Sequence, residues 1–152
     1  MFLGVHAWQT RGLVPTGEAV AAPALRLPDL EGREIDLEAV RGQPTLVYFF
    51  APWCGVCAAS AGNLERLARW RAGAVRVVLV ALDYESAGEV AAYVARHDLS
   101  MPVLLGDRDT RKRWRVPGYP TYYVLDGDGQ VRRRDFGYST TAGLLLRTWA
   151  ID

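Results

Sequence analysis

The longest unbroken apolar runs in this chain have the length of β-strands. Thr45–Phe50 is almost continuously hydrophobic, which is typical of a strand buried on both faces, and residues 75–82 have the same character. Residues 102–105 form a shorter run. Thr121–Leu125 and Val131–Phe136 flank the sequence DGDG at positions 126–129, which is a tight-turn signal, so both are predicted to be strands.

Ahead of these runs, two short alternating stretches predict a small hairpin. Residues 24–27 and 33–37 lie on either side of residues 29–32, whose sequence DLEG favours a turn. Residues 37–41 are expected to form one helical turn, which Gly42 closes.

Three other segments have the spacing of amphipathic helices, namely residues 55–71, 86–97 and 140–151. Residues 110–114 are expected to form one helical turn at most. The residues that recur at helical spacing in the first segment are Val56, Ala59, Asn63, Leu64, Leu67 and Trp70. The side chains that we expect on one face of the later helices are Val90, Tyr93, Val94, Leu144, Leu145 and Trp149. Thr140 is a suitable N-cap for the last helix.

The order of these elements predicts one α/β domain. A buried strand, a helix, a second buried strand, a second helix and a short third strand come first, and two strands and a helix follow. Such an order is typical of a mixed sheet with helices on both faces and an antiparallel far edge.

Composition and charge exclude several classes of protein. The chain has 152 residues, 50% of them hydrophobic and 23% charged, which is an ordinary composition for one globular domain. The formal net charge of +1 argues against nucleic acid as the main partner. The 2 cysteines exclude both a disulfide-rich scaffold and a zinc site with four cysteine ligands.

The candidate chemistry lies where the first long strand gives way to a helix, in the sequence Trp53-Cys54-Gly55-Val56-Cys57. The first turn of a helix has unpaired backbone N–H groups and the positive end of the helix dipole, which together stabilise a thiolate. Cys54 is therefore predicted to be an exposed nucleophile. Cys57 lies one turn further, and is predicted to be more buried and to resolve a mixed disulfide formed at Cys54.

Two cysteines at this spacing have four alternative roles: a structural disulfide, a zinc site, a pair of inert thiols and a Cu(I) site. A structural disulfide with so short a ring would constrain little of the unfolded chain. Zinc needs two more ligands, and neither His6 nor His97 has ligand spacing to the cysteines. Two inert buried thiols are less compatible with the flanking Trp53 and Gly55. Cu(I) bound by both thiolates is chemically reasonable and stays as the alternative class.

A second signal is Tyr119-Pro120, which comes just before a predicted strand. A proline at this position can be cis and would expose the Tyr119 backbone for pairing with an extended peptide, although an ordinary trans turn remains the alternative. Trp53, Pro52 and Tyr119 are expected to form an apolar surface around Cys54 that suits unfolded or extended protein substrates.

Together these motifs resemble the thioredoxin fold. The matching sequences are FFAPWCGVC at residues 49–57 and GYPT at residues 118–121. The hairpin at residues 25–32, the insertion that holds residues 86–105 and the sequence YYVLDGDG at residues 122–129 resemble the TlpA/ResA branch of that family. The fold implied is a central mixed sheet flanked by helices, with an N-terminal β-hairpin and a central αβ insertion.

The resemblance implies a thiol–disulfide oxidoreductase that acts on protein thiols or disulfides. Cys54 would attack, Cys57 would resolve, and Pro120 would be the cis-proline. Trp53, Tyr119 and Pro120 would contact the substrate. No cofactor is implied apart from the redox-active Cys54–Cys57 disulfide.

A narrower similarity concerns the segment ahead of the domain. The sequences AWQTR at residues 7–11 and LVP at residues 13–15, together with CGVC, are similar to the suppressor-for-copper-sensitivity D proteins. These proteins are bacterial, anchored in the inner membrane and exposed to the periplasm. From the residues alone, a disordered cytosolic start remains the alternative to the remainder of a membrane anchor. The similarity implies that residues 1–21 are the remainder of an anchor and a linker, and that residues 22–152 form a periplasmic domain. It also implies a membrane electron donor and a role in copper tolerance.

Three positions depart from the family pattern. Many thioredoxins have a buried Asp at the position of Tyr48, and many TlpA-like reductants have a Glu at the position of Ser60. A helix-kinking Pro is replaced by Gly62. Since both usual proton acceptors beside Cys57 are missing, Glu85 is considered as a proton relay that approaches from the insertion.

Peroxiredoxins are the competing family because they share the N-terminal hairpin. They are expected to have Thr or Ser three residues before the peroxidatic cysteine, whereas Ala51 holds that position relative to Cys54.

A cluster of basic residues around Trp114 could be a docking surface for an acidic partner. Its members are Arg108, Arg111, Lys112, Arg113 and Arg115. Because Asp107 and Asp109 dilute its charge, a solvated surface is the favoured interpretation.

Overall fold

The computed structural model describes residues 8–16, 20–149 and 151. Its central feature is a five-stranded mixed sheet with the order β5-β4-β3-β6-β7. These strands are β3 (Thr45–Phe50), β4 (Arg76–Ala81), β5 (Val103–Leu105), β6 (Thr121–Leu125) and β7 (Val131–Phe136). β4 is parallel to β3 and β5, whereas β6 is antiparallel to β3 and β7. The predicted mixed sheet with an antiparallel far edge is therefore confirmed.

A separate two-stranded hairpin precedes the sheet, as the sequence predicted. It consists of β1 (Arg26–Pro28) and β2 (Glu34–Asp36), and a 3-10 turn at Leu37–Val40 follows it. An isolated bridge between Asp29 and Leu104 attaches the hairpin to β5, at the edge of the sheet.

Within the part of the chain from residue 20 onward that the structure describes, four helices accompany the strands, each with a polar side chain at its N-terminus that accepts a backbone N–H. They are α1 (Gly55–Trp70), α2 (Ala87–Arg96), α3 (Arg108–Arg113) and α4 (Thr141–Thr148). α3 begins two positions before the predicted turn because Asp107 accepts hydrogen bonds from the backbone and the hydroxyl of Thr110, both at 2.8 Å. None of the helices in the described ranges is both long enough and apolar enough to cross a membrane.

The core has two layers, one on each face of the sheet. The layer under α1, α2 and α4 contains Leu46, Tyr48, Phe50, Leu64, Leu67, Val90, Tyr93 and Leu144. The opposite layer contains Val47 and Phe49, and it is covered by Leu13, Val14, Leu25, Leu27 and by Trp114 at the end of α3. The alternation along β3 thus feeds both layers, as expected for the central strand.

The segment expected to be a linker is partly packed into the domain. Leu13 and Val14 are buried, and the backbone N–H of Val14 donates to the hydroxyl of Tyr123 at 3.0 Å. Ala21 bridges Gln130 beside β7. The folded unit therefore includes residues ahead of the predicted boundary at residue 22. The part of the predicted anchor at residues 1–7 and the linker at residues 17–19 lie outside the described residues.

The buried faces of two helices differ from the prediction. In α1, Val56 and Trp70 are 46% and 62% exposed, and the buried positions include Cys57, Ser60 and Ala61 instead. In α4, Leu144 is buried, but Trp149 lies beyond the helix end and is 64% exposed.

Candidate active site

The two cysteines lie at the carboxyl end of β3, where the chain enters α1. Cys54 is the N-cap of α1, and its sulfur accepts the backbone N–H of Cys57 at 3.3 Å. The side chain that caps the helix is therefore also the candidate nucleophile. This N–H and the helix dipole both stabilise negative charge on the Cys54 sulfur.

The two thiols have different environments. Both are free thiols here; Cys54 is 8% exposed and Cys57 is fully buried. Cys54 is thus more enclosed than predicted, but the predicted order of exposure is correct. Burial, and then the neighbouring Cys54 sulfur, raise the pKa of the Cys57 thiol well above its usual range. At neutral pH Cys57 therefore holds its proton, and Cys54 is the candidate for the sulfur that reacts first.

The loop before β6 completes one side of the site. The peptide bond between Tyr119 and Pro120 is cis, and the Cys54 thiol lies 3.7 Å from the carbonyl oxygen of Tyr119. The structure thus brings Cys54, Cys57, Tyr119 and Pro120 together, as the sequence motifs led us to expect.

Exposed apolar side chains surround the entrance to Cys54. Trp53 is 65% exposed, and its ring meets the ring of Tyr119 edge-on, with 5.7 Å between centroids. Val56, which was expected to face the core, is exposed at the start of α1. A rim of this kind suits an apolar segment of a partly unfolded protein.

Asp83 holds the side chains of Trp53 and Tyr119 in place at this rim. The sequence analysis did not identify this residue. Its backbone carbonyl accepts the indole N–H of Trp53 at 2.9 Å, and its carboxylate accepts the hydroxyl of Tyr119 at 2.6 Å. The same carboxylate forms a 2.8 Å ion pair with Arg111, whose guanidinium lies 5.7 Å from the centre of the Tyr119 ring. Burial, and then the hydrogen bond to Asp83, raise the pKa of Tyr119, so this contact persists at neutral pH.

A positional signal for Asp83 exists in the sequence. Phe50 and Ala81 are partners in the parallel pair β3–β4, so the residues that follow both strands meet at one edge of the sheet. In α/β sheets, functional groups gather outside the carboxyl ends of parallel strands. A polar residue just after β4 is therefore a neighbour of the cysteine motif just after β3.

The structure does not bring Glu85 to the thiols. Glu85 is exposed, and its backbone N–H donates to the carboxylate of Glu89 at 2.9 Å near the start of α2. Among the described residues, no hydrogen bond or ion pair connects its side chain with the site. The proton relay predicted at Glu85 is therefore unsupported, and the carboxylate at the rim is that of Asp83.

Beneath Cys57 the family's carboxylates are replaced by hydroxyl groups. Tyr48 and Tyr93 are buried, both interact electrostatically with Cys57, and burial is the main cause that raises the pKa of each phenol. Ser60 donates to the carbonyl of Val56 at 3.0 Å. These groups are neutral at physiological pH and remain hydrogen-bond donors.

No group of three or more histidine, cysteine or carboxylate side chains within the described ranges is arranged to hold a metal ion. The groups that could bind a soft cation at this site are the two sulfurs.

Comparison with known proteins then places the chain in a family. Residues 19–134 match the AhpC/TSA family. The chain belongs to this family.

Individual relatives agree with the TlpA/ResA resemblance. The thioredoxin-like protein YneN of Bacillus subtilis is 28% identical over 91% of this chain and 84% of its own length. The thiol-disulfide oxidoreductase ResA of Bacillus cereus is 28% identical over 78% of this chain and 69% of its own length.

Solved structures confirm the fold. A thiol:disulfide interchange protein of the thioredoxin family from Chlorobium tepidum superposes with a TM-score of 0.79 at 19% identity, covering 90% of this chain and 99% of that one. A secreted disulfide oxidoreductase from Mycobacterium tuberculosis superposes with a TM-score of 0.74 at 24% identity, covering 83% and 95%. The thioredoxin-like fold with its N-terminal hairpin and central insertion is therefore as predicted.

Proposed function

We propose that this protein is a thiol–disulfide oxidoreductase that exchanges the Cys54/Cys57 pair with protein thiols or disulfides. The Cys54 thiolate attacks one sulfur of a substrate disulfide, forms a mixed disulfide and releases the other substrate sulfur as a thiolate. The Cys57 sulfur then attacks the Cys54 sulfur, forms the Cys54–Cys57 disulfide and releases the second substrate sulfur. Two electrons pass from the cysteine pair to the substrate, and the reverse sequence oxidises a substrate dithiol.

One observation carries this proposal: the Cys54 sulfur at the start of α1 faces both the Cys57 N–H and the carbonyl of Tyr119 before the cis bond. The first contact favours the thiolate. The second places the reacting sulfur beside backbone that an extended substrate can pair with, next to the exposed ring of Trp53 and the half-buried ring of Tyr119.

Three single variants test the assignment of the two sulfurs. Cys54→Ser should abolish reduction of insulin disulfides, whereas Cys57→Ser should abolish turnover but accumulate mixed disulfides that dithiothreitol releases. Ala59→Ser, an exposed position of α1, is the matched control and should keep wild-type activity. Full activity of Cys54→Ser would contradict the proposal.

The reduction potential of the pair gives the direction of electron flow. The protein is equilibrated in graded dithiothreitol or glutathione buffers, quenched with an alkylating mass tag, and its modified thiols are counted. A couple near about −270 mV indicates a reductant, and one near about −120 mV indicates a disulfide donor. If the pair shows no reversible couple but the reduced protein binds one Cu(I) tightly, a copper carrier replaces the oxidoreductase.

We further propose a periplasmic location, in which the segment before residue 22 leads to an inner-membrane anchor and a membrane protein supplies electrons. The support is the similarity of residues 7–15 and the CGVC motif to the suppressor-for-copper-sensitivity D proteins. Cell fractionation should find the native protein in the membrane fraction with its domain accessible to protease in spheroplasts. Copper tolerance of a deletion strain should be restored by wild type and not by Cys54→Ser. Protection of the domain from protease would contradict the location.

A further inference from the structure

Four basic side chains converge on one concave surface near the candidate active site. It is a shallow depression wide open to solvent, with a volume of about 450 Å³, and it is lined by Arg108, Arg111, Lys112, Arg115, Gly12, Val116 and Pro117. No carboxylate of the described residues lines it, although the formal net charge of the chain is only +1. We call this surface the basic concavity.

Most of this positive charge is not neutralised from within the protein. Arg111 pairs with Asp83, but the side chains of Arg108, Lys112 and Arg115 form no ion pair with any described residue. Arg113 behaves differently: it pairs with Asp109 at 2.8 Å and donates to the carbonyl of Ala24 at 3.1 Å. The basic side chains without an ion-pair partner among the described residues therefore line the basic concavity, whereas the paired Arg113 lies outside it.

The basic concavity is continuous with the rim of the active site. Arg111 lines the concavity and also lies over the ring of Tyr119, whose carbonyl contacts the Cys54 sulfur. A second cavity of about 380 Å³ shares Arg108 and Arg111 and extends to the carboxylates of Asp107 and Asp83. A chain bound with its sulfur at Cys54 can therefore continue over Tyr119 into the concavity.

We propose that the basic concavity binds an acidic segment of the protein whose disulfide or dithiol reacts at Cys54. This inference rests on the proposed function and adds the chemistry of the partner. Guanidinium groups pair with carboxylates in two-pronged geometry, and several cations on one concave surface attract an acidic segment collectively. Since each exposed pair is weak by itself, the effect should be strongly dependent on salt.

The test uses three disulfide peptides of equal length whose flanking residues are acidic, neutral or basic. With wild-type protein at low ionic strength, we expect kcat/KM to be about tenfold higher for the acidic than for the neutral peptide. In 1 M salt, where the screening length is about 3 Å, this preference should disappear. Arg108→Glu/Lys112→Glu should abolish or invert it at low salt. Arg111 is left intact because it also pairs with Asp83.

A matched control removes the same charge elsewhere. Arg96→Glu/Arg133→Glu changes two exposed arginines, on α2 and β7, that do not line the concavity. This variant should retain most of the preference for the acidic peptide. If both double variants lose the preference equally, the net charge of the protein alone explains it, and the proposal is overturned. Equal kcat/KM for the three peptides in wild type would also overturn it. Binding to anionic lipid vesicles that R108E/K112E abolishes, without any peptide preference, would assign the surface to a membrane instead.

A small uncharged disulfide separates the two hypotheses. Hydroxyethyl disulfide reaches Cys54 without touching the concavity, so all these proteins should reduce it at similar rates. If wild type fails with this compound and the Cys54/Cys57 pair shows no reversible couple, the proposed function fails. If wild type succeeds and shows no peptide preference, only the docking surface fails.

Discussion

Two buried tyrosines on neighbouring strands allow a stringent test of how this core is stabilised. Tyr48 and Tyr122 are directly opposite each other in the β3–β6 pair, with their rings stacked at 6.0 Å. The hydroxyl of Tyr122 donates to the carboxylate of Asp135 at 2.6 Å and contacts the hydroxyl of Ser139. The hydroxyl of Tyr48 is buried and forms no hydrogen bond of normal geometry among the described residues; the neighbouring Ser60 hydroxyl interacts with it but donates its own proton to the carbonyl of Val56.

Substitution by phenylalanine preserves both rings, so any difference between the two sites reflects the hydroxyl groups, and the effects on stability should differ. Tyr122→Phe removes a hydrogen bond to a charged acceptor, which should lower the free energy of unfolding by about 1.5–3 kcal/mol. Tyr48→Phe removes a hydroxyl that is desolvated and has no well-formed hydrogen bond, so the free energy of unfolding should be unchanged or higher. With an m-value of about 2 kcal/mol/M, the urea midpoints of the two variants should differ by about 1 M.

The assay is urea unfolding followed by circular dichroism, with all proteins fully reduced so that the disulfide does not contribute. Equal m-values are required for the comparison. If Tyr48→Phe loses as much stability as Tyr122→Phe, the Tyr48 hydroxyl has a partner in solution, and the reasoning from its isolation is refuted.

Three further outcomes follow from the structure. In urea unfolding, Leu144→Ala should lower the free energy of unfolding by about 2–5 kcal/mol, because Leu144 is buried. Leu146→Ala, on the exposed side of α4, should lower it by less than about 0.5 kcal/mol, and similar losses would contradict the assignment of the buried face. Burial raises the pKa of Cys57 above that of an unfolded thiol, so its contribution to stability is complete below about pH 8.5 and is lost as pH rises further. Between about pH 9 and 10, the free energy of unfolding of reduced wild type should thus fall by up to about 1.4 kcal/mol more per pH unit than that of Cys57→Ser. Parallel pH profiles of the two proteins would refute this. Asp83→Ala should raise KM for protein disulfides several-fold by freeing Tyr119, while its exposed ion pair adds at most about 1 kcal/mol to stability; an unchanged KM would remove Asp83 from the site.

The elements that local sequence determines were predicted closely. β3, β6 and β7 have the predicted bounds because continuous apolar runs and a tight turn define them within a few residues. The two cysteines were equally accessible to prediction, since a strand, a helix start and both sulfurs fall within one short stretch.

The errors occurred where tertiary contacts decide. Trp149 has the correct helical spacing to face the core, but the helix ends at Thr148, and the ring lies 5.0 Å from the guanidinium of Arg71 instead. Glu85 and Asp83 both follow β4, and composition does not distinguish them. Asp83 lies at the site because of its tertiary geometry. Its backbone adopts a φ of 50°, in the left-handed region, and its carboxylate contacts Tyr119 while its carbonyl contacts Trp53.

The hydroxyl groups around Cys57 determine where its proton goes during catalysis. Because burial raises the pKa of Cys57, the resolving sulfur carries a proton when the mixed disulfide forms. Burial raises the pKa of Tyr48 and of Tyr93, so both are neutral phenols at neutral pH and neither is a base that could replace a carboxylate beside Cys57. Among the reacting atoms, the remaining acceptor is the substrate sulfur that departs as Cys57 attacks Cys54. We therefore predict that the leaving thiolate takes up this proton in the resolving step, which couples resolution to release of the substrate.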